Sequence, residues 1–302
     1  MSARIERSAS GAETGTGGVS RSGPGATGAP GTFDAVRAGR ALDGIVRREA
    51  LRFLHQRGRF LAALVRPLVW LFIFAAGFRS VLGVSIIPPY RTYVLYEEYI
   101  VPGLCAMILL FNGMQSSLSM VHDRETGSMR VLLSSPMPRW FLLVAKLVAG
   151  VAVALLQVYA FLAIAWLWDI RPPLTGYALV LPALVAAGLM LGALGLALSS
   201  LVRQLENFAG VMNFVIFPMF FASSALYPLW KIRDSSEPLW WICRLNPFTH
   251  AVELVRFALY GEFAAVAALV TVASTAVFLA AAVLGYDPLR GSLARRDRRP
   301  AA

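Results

Sequence analysis

Few residues in the chain have the types and spacing that bond-making chemistry requires. Three histidines (His55, His122 and His250) stand far apart and form no HExxH pair, and the two cysteines, Cys105 and Cys243, make no CxxC metal site. Lys146 and Lys231, the only lysines, follow Ala145 and Trp230, so no GxxxxGK[ST] loop is present to cradle a nucleotide. No GxSxG elbow or paired-carboxylate arrangement marks an intramembrane enzyme. What remains suits binding: His122-Asp123-Arg124-Glu125-Thr126-Gly127-Ser128-Met129-Arg130-Val131-Leu132-Leu133-Ser134-Ser135-Pro136-Met137-Pro138-Arg139. In this run Thr126 is placed to cap a helix, and Pro136 and Pro138 stop one. Met129, Leu132 and Leu133 fall at i, i+3 and i+4, one face of a helix about two turns long. So short a helix does not hold itself together in water, so a lipid surface or another protein must grip that face.

The charged run is a hairpin wedged between two apolar runs, Tyr99–Ser119 and Trp140–Trp166. About 20 residues rising about 1.5 Å each span the roughly 30 Å of bilayer hydrocarbon, so both runs are long enough to cross. Of the 302 residues 57% are apolar and 15% charged, and the mean hydropathy is +0.63. A soluble domain carries roughly 25% charged residues. The expected fold is therefore all-α and integral to a membrane, with six transmembrane helices: about Phe60–Phe78, Tyr99–Ser119, Trp140–Trp166, Tyr177–Leu201, Phe208–Tyr227 and Phe263–Gly285. Cys105 lies in an apolar run and Cys243 in a polar connection, so no disulfide is expected.

The net charge of +11 is not a nucleic-acid signature, because the arginines sit beside apolar runs rather than among interleaved aromatics. They read as topology signals. With both termini cytoplasmic, the inner segments hold 19 Lys/Arg and the outer loops 7; leaving out residues 1–39, the balance is still 15 against 7. The positive-inside rule then puts both ends and the Arg124 hairpin in the cytoplasm. Arg66 and Lys146 intrude about six residues into their spans, where long side chains can snorkel to the cytoplasmic surface without a partner.

Residues 1–40 hold nine glycines and one aromatic, Phe33, a composition that predicts a disordered tail. No apolar signal-peptide core occurs there. From Ala41 to Arg59, Leu42, Ile45, Val46, Leu51, Phe53 and Leu54 mix with five arginines, the pattern of an amphipathic helix in the cytoplasmic headgroup region. The six-span domain covers 41–286, and a basic cytoplasmic tail follows over 287–302.

Between the fifth and sixth spans, Pro228–Glu262 carries Trp230, Trp240 and Trp241, an aromatic group suited to a membrane interface. The stretch from Thr249, a possible cap, through Ala251, Val252, Leu254, Val255 and Leu259 predicts a helix lying in or dipping into the outer leaflet, with Glu253 and Arg256 spaced to pair. Inside the spans, Asn112, Gln115, Gln157 and Asn213 are amides that belong against protein or water rather than lipid. Phe214, Phe217 and Phe221 share a face of the fifth span. Two readings stay open: helix–helix glue with lipid-facing bulk, or a translocation path lined by Asn112, Gln115, Asn213, Phe214, Phe217 and Phe221. Gly188, Gly192 and Gly195, with Ala187 and Ala193, permit close helix approach in the fourth span.

The Asp123–Arg139 run with Lys146 seven residues on, the Leu245-Asn246-Pro247-Phe248-Thr249-His250-Ala251-Val252-Glu253-Leu254-Val255-Arg256 run and the opening Tyr99-Ile100-Val101-Pro102-Gly103-Leu104 resemble three ordered motifs of the ABC type 2 transporter permeases. The resemblance covers roughly Leu42–Tyr286. It implies a permease that dimerises in the inner membrane and binds two cytoplasmic ATP-binding-cassette ATPase subunits, which hold ATP and Mg; no catalytic, cofactor or metal residue is implied in this chain. It also implies that the hairpin is a coupling helix seated in the ATPase, with Glu125, Thr126, Met129, Arg130, Leu132 and Leu133 as the docking face. Export of a drug, lipid or glycan-like amphipathic substrate is implied by family habit. The alternative from another class is a stand-alone secondary carrier or channel. The absence of acidic residues well inside the spans, and of inverted repeats visible by eye, counts against it.

Overall fold

Each of the six expected apolar runs falls on a helix. The computed structural model describes residues 57–78, 89–90, 95–126, 139–202 and 204–286, with scattered positions 39–40, 43–44, 47 and 51. Its helices are α1 (Arg57–Phe78), α2 (Tyr96–Glu125), α3 (Arg139–Leu167), α4 (Leu174–Leu201), α5 (Leu205–Phe221), α6 (Leu229–Ser235), α7 (Glu237–Leu245), α8 (Pro247–Leu259) and α9 (Ala265–Gly285). Four of them, α2, α3, α4 and α9, are long and apolar enough to cross a membrane; α1 and α5 carry shorter apolar stretches, Ala63–Phe74 and Leu205–Phe221. The amphipathic helix expected over Ala41–Arg59 and the two tails lie for the most part outside the described residues.

The core is built on α2 and α4, which pack along much of their length, with α3, α8 and α9 against α4 and with α1 and α5 against α2. Lipid tails are as apolar as leucine, so such packing rests on close van der Waals contact rather than on the exclusion of water. Small residues make the contact possible. A β-carbon on Gly113 of α2 would lie 2.9 Å from the Gly192 Cα of α4, and one on Gly195 would lie 2.8 Å from the Gly113 carbonyl oxygen. The small-residue face expected in the fourth span therefore serves two seams: Gly192 and Gly195 lie against Gly113 of α2, and β-carbons on Gly188 and Gly192 would meet Val151 and Leu147 of α3. At the edge, α1 exposes Leu61, Val65, Val69, Phe72 and Ile73, and α9 exposes Val266, Leu269, Val272 and Val277.

The fifth span departs from expectation. It was expected to run to Tyr227, but α5 stops at Phe221, giving a rod about 25 Å long. Pro218 lies in its last turn and has no N–H for the ladder. Residues 222–228 then turn instead of continuing the helix. The carbonyls left over at the break are taken up by Asn246, whose Nδ2 donates to Met219 O at 2.8 Å and Ala222 O at 2.7 Å. The same side chain's Oδ1 accepts from Phe248 N at 3.0 Å and so caps α8, with Pro247 at the first helical position. Asn246, not Thr249, is thus the cap; the Thr249 hydroxyl donates to Cys243 O at 2.6 Å.

The connection between α5 and α9, where outer-leaflet helices are expected, consists of the three short helices α6, α7 and α8. Trp240 and Trp241 meet edge to face at 4.8 Å, and the Arg244 guanidinium lies over both rings. Cys243, expected in a polar connection, is fully buried on α7 and remains a free thiol. Beyond it Phe248, Thr249, Ala251, Val252, Leu254, Val255, Arg256 and Leu259 of α8 are buried. α8 seats closely because its neighbours are small where it passes: a β-carbon on Gly176 of α4 would overlap the Leu259 carbonyl.

Candidate functional site

Three places on the molecule gather polar groups among the apolar helices. The first is the Glu125 end of α2. The helix continues through His122-Asp123-Arg124-Glu125, so the root of the charged hairpin is an extension of the second span. Thr126 follows the helix, and its hydroxyl donates back to His122 O at 2.9 Å. Glu125 Oε1 accepts from Leu205 N at 2.7 Å. The first N–H groups of a helix lack partners and carry partial positive charge, so a carboxylate there is favourable. Gln204, the local capping position of α5, makes no side-chain cap; the carboxylate of another helix does the work. On the other side Lys146 Nζ of α3 pairs with Asp123 Oδ2 at 3.3 Å, so Lys146 has an acidic partner rather than snorkelling unpaired. Two carboxylates of one α2 turn therefore tie it to the second turn of α3 and the start of α5. Of the expected docking face, Glu125 and Thr126 lie at this junction; Met129, Arg130, Leu132 and Leu133 lie outside the described residues.

The second place is the face shared by α1, α2 and α5. Asn112 Nδ2 donates to Gln157 Oε1 of α3 at 2.6 Å, which is helix–helix glue. Gln115 and Asn213, by contrast, are exposed. Phe214 is 78% exposed, Phe217 and Phe221 about half as much, and the last two stack at 6.3 Å. Trp70 of α1 meets Phe221 at 5.9 Å and Phe220 at 6.1 Å. One turn along α1 from Trp70, the exposed Arg66 places its guanidinium carbon 3.8 Å from the centre of the Phe111 ring.

The third place is the break between α5 and α6. Arg256 of α8 is 5% exposed, and its Nη2 donates to Ser224 O at 2.7 Å. Its guanidinium lies 4.1 Å from the Tyr99 ring centre, and the Tyr99 hydroxyl donates to the same Ser224 carbonyl at 3.0 Å. Tyr96 donates to Leu226 O at 2.8 Å. Tyr90 packs edge to face on Tyr260 at 4.6 Å, and burial raises both phenols above their ordinary value, so both stay neutral. The expected Glu253–Arg256 pair does not form. The guanidinium is drawn instead into the tyrosine cage and onto the carbonyl, while burial, offset in part by Arg256 and His250, raises the Glu253 carboxyl.

A family model for ABC-2 type transporters matches residues 41–260. The chain belongs to the ABC-2 type transporter family. Among its relatives, a probable multidrug ABC transporter permease, YbhR of Escherichia coli strain K12, is 33% identical over 170 residues, 55% of this chain and 45% of that protein. A putative transport permease, ycf38 of Porphyra purpurea, is 27% identical over 224 residues, 72% of each chain. The matched part of the chain thus spans about half the length of the first of these. The chain is accordingly a membrane component of transport, multi-pass and helical.

Sequence reading missed the tyrosine cage of this permease. One local signal was there: Arg256 stands between Val252 and Leu259 on the apolar side of α8, where an arginine demands partners. Nothing local named those partners, because Tyr99 and Ser224 come from other elements.

Proposed function

We propose that this chain is the permease subunit of an ATP-driven exporter. Two copies span the inner membrane six times each, both termini cytoplasmic, and two cytoplasmic ATP-binding-cassette subunits supply the ATP and Mg site. The observation that carries this reading is the junction at Glu125. With Glu125 on Leu205 N and Asp123 on Lys146, a force applied to the 122–139 hairpin is passed to α2, α3 and α5 together. A partner that grips Met129, Leu132 and Leu133 as it closes on ATP therefore moves three helices as one body, the kind of rigid switch that domain closure drives. The α1–α2–α5 face is the path and the seam between copies: Gln115 and Asn213 are exposed amides that lipid cannot satisfy. The cargo is amphipathic, a drug, lipid or glycan-like molecule; exposed phenylalanines beside amides suit it, and the printed name of the Escherichia coli relative supports a drug-like cargo.

The test is uncoupling. Leu132→Asp, in the permease reconstituted with its ATPase partner, should abolish transport and transport-linked ATP hydrolysis while six-span insertion survives. Normal transport by the assembled Leu132→Asp complex would remove the hairpin from the docking face.

A further inference from the structure

Arg66 has no evident structural duty. Its guanidinium lies against Phe111, the sixteenth of the 30 residues of α2, and so about midway along a rod roughly 45 Å long. At that depth it is far from the Glu125 end, so snorkelling from near a membrane surface does not describe it. The side chain is exposed, and among the described residues no ion pair or hydrogen bond holds it. A charge at the middle of a bilayer faces a partner, water or a functional ligand.

The sequence rules out the simplest partner. No Asp or Glu occurs in 60–78, 99–122, 140–168, 174–205, 207–228 or 263–286. A second copy of the chain, packed on the same face, therefore brings no carboxylate to this level. The surroundings are ordered by helical spacing. Trp70 lies one turn along α1 and touches Phe221, and Phe217 lies one turn further into α5. Gln115 lies one turn from Phe111 on α2, and Asn213 one turn from Phe217 on α5, both exposed. A single face thus offers an aromatic slab, a cation and two amides in succession.

We propose that Arg66, assisted by Gln115 and Asn213, recognises the anionic headgroup of the cargo, a phosphate or carboxylate on an apolar body that lies against Trp70, Phe217 and Phe221. A guanidinium suits both headgroups, since its fork of N–H donors matches their paired oxygens. This rests on reading the chain as a permease, but the site is tested without its ATPase.

The test is equilibrium binding to the full-length chain in phosphatidylcholine nanodiscs, with radiolabelled dodecyl phosphate as the probe and dodecyltrimethylammonium as its cationic control. Wild type should bind the phosphate saturably, at least ~10-fold tighter than the ammonium, and Arg66→Gln should lose about that factor, which corresponds to one charge-assisted contact. Arg66→Lys, which keeps the charge, should retain most of the binding and so separate loss of charge from loss of fold. Equal binding of the two probes, or phosphate binding unchanged in Arg66→Gln, would overturn the proposal. Phosphatidylglycerol in the nanodisc identifies the source of the headgroup. Probe binding that persists in its presence assigns the site to cargo, and complete displacement would assign it to membrane lipid and overturn the cargo reading. Co-purification of an ATPase is unaffected in Arg66→Gln if the site is separate from coupling, so this proposal and the permease reading fail independently.

Discussion

Arg256 is 5% exposed, donates to Ser224 O and lies over the Tyr99 ring; Arg66 is exposed, has one ring beside it and makes no hydrogen bond among the described residues. Both are arginines on apolar helix faces. In one place a carbonyl and the Tyr99 ring hold the cation and pin the α5 break against α2 and α8, while its buried Nε makes no hydrogen bond among the described residues. In the other the guanidinium makes no hydrogen bond among the described residues, on a face where aromatic rings and the Gln115 and Asn213 amides are also exposed. The fold thus separates an end where a buried cation is held by the chain's own carbonyl and ring from a face where cation, rings and amides are exposed.

The contrast breaks first at Arg256. Arg256→Met removes a charge-assisted hydrogen bond and a cation–π contact at once, about 3 kcal/mol. The thermal midpoint in detergent should fall by roughly 6–12 °C. A shift of under about 2 °C would mean that the cage is not structural. Gly113→Val comes next: with the Gly192 backbone 2.9 Å from the new β-carbon, overpacking should cost about 2 kcal/mol, read as a lower midpoint and poorer yield of monodisperse protein. Glu125→Ala, which leaves the Leu205 N–H uncapped, should cost about 1 kcal/mol and lower transport more than it lowers stability. Arg66→Gln should be the smallest change in the fold, within about 0.5 kcal/mol. A large loss of stability there would erase the distinction between the two arginines.

Much of the helical layout is legible in the sequence because apolar runs and their Pro, Gly and charged boundaries are local signals. The expected run Trp140–Trp166 and the helix Arg139–Leu167 differ by a residue at each end. The small residues of the fourth span pointed to a close seam, and Gly192 and Gly195 form it with Gly113. The end of the fifth span was misplaced because hydropathy continues to Tyr227 while the helix ends at Phe221, in the turn that holds Pro218. The tertiary contacts are less legible, since they join distant parts of the chain. Glu125 meets a residue 80 positions on, and Tyr96 meets one 130 positions on. Where spacing alone suggested a partner for Arg256 the choice was wrong, because a helical neighbour competes poorly with a carbonyl and rings brought in by tertiary packing. The depth of Arg66 was missed for a similar reason: residue counting from the start of α1 does not reveal which turn of α2 it meets.

On the proposed reading the chain works through a partner gripping the 122–139 hairpin. The most direct measurement is affinity purification of the tagged protein from gently solubilised native membranes, with mass spectrometry of what accompanies it. A stoichiometric P-loop ATPase should accompany wild type and be lost with Glu125→Arg. A chain that comes down alone in several mild detergents, or an ATPase retained in full by Glu125→Arg, would contradict it.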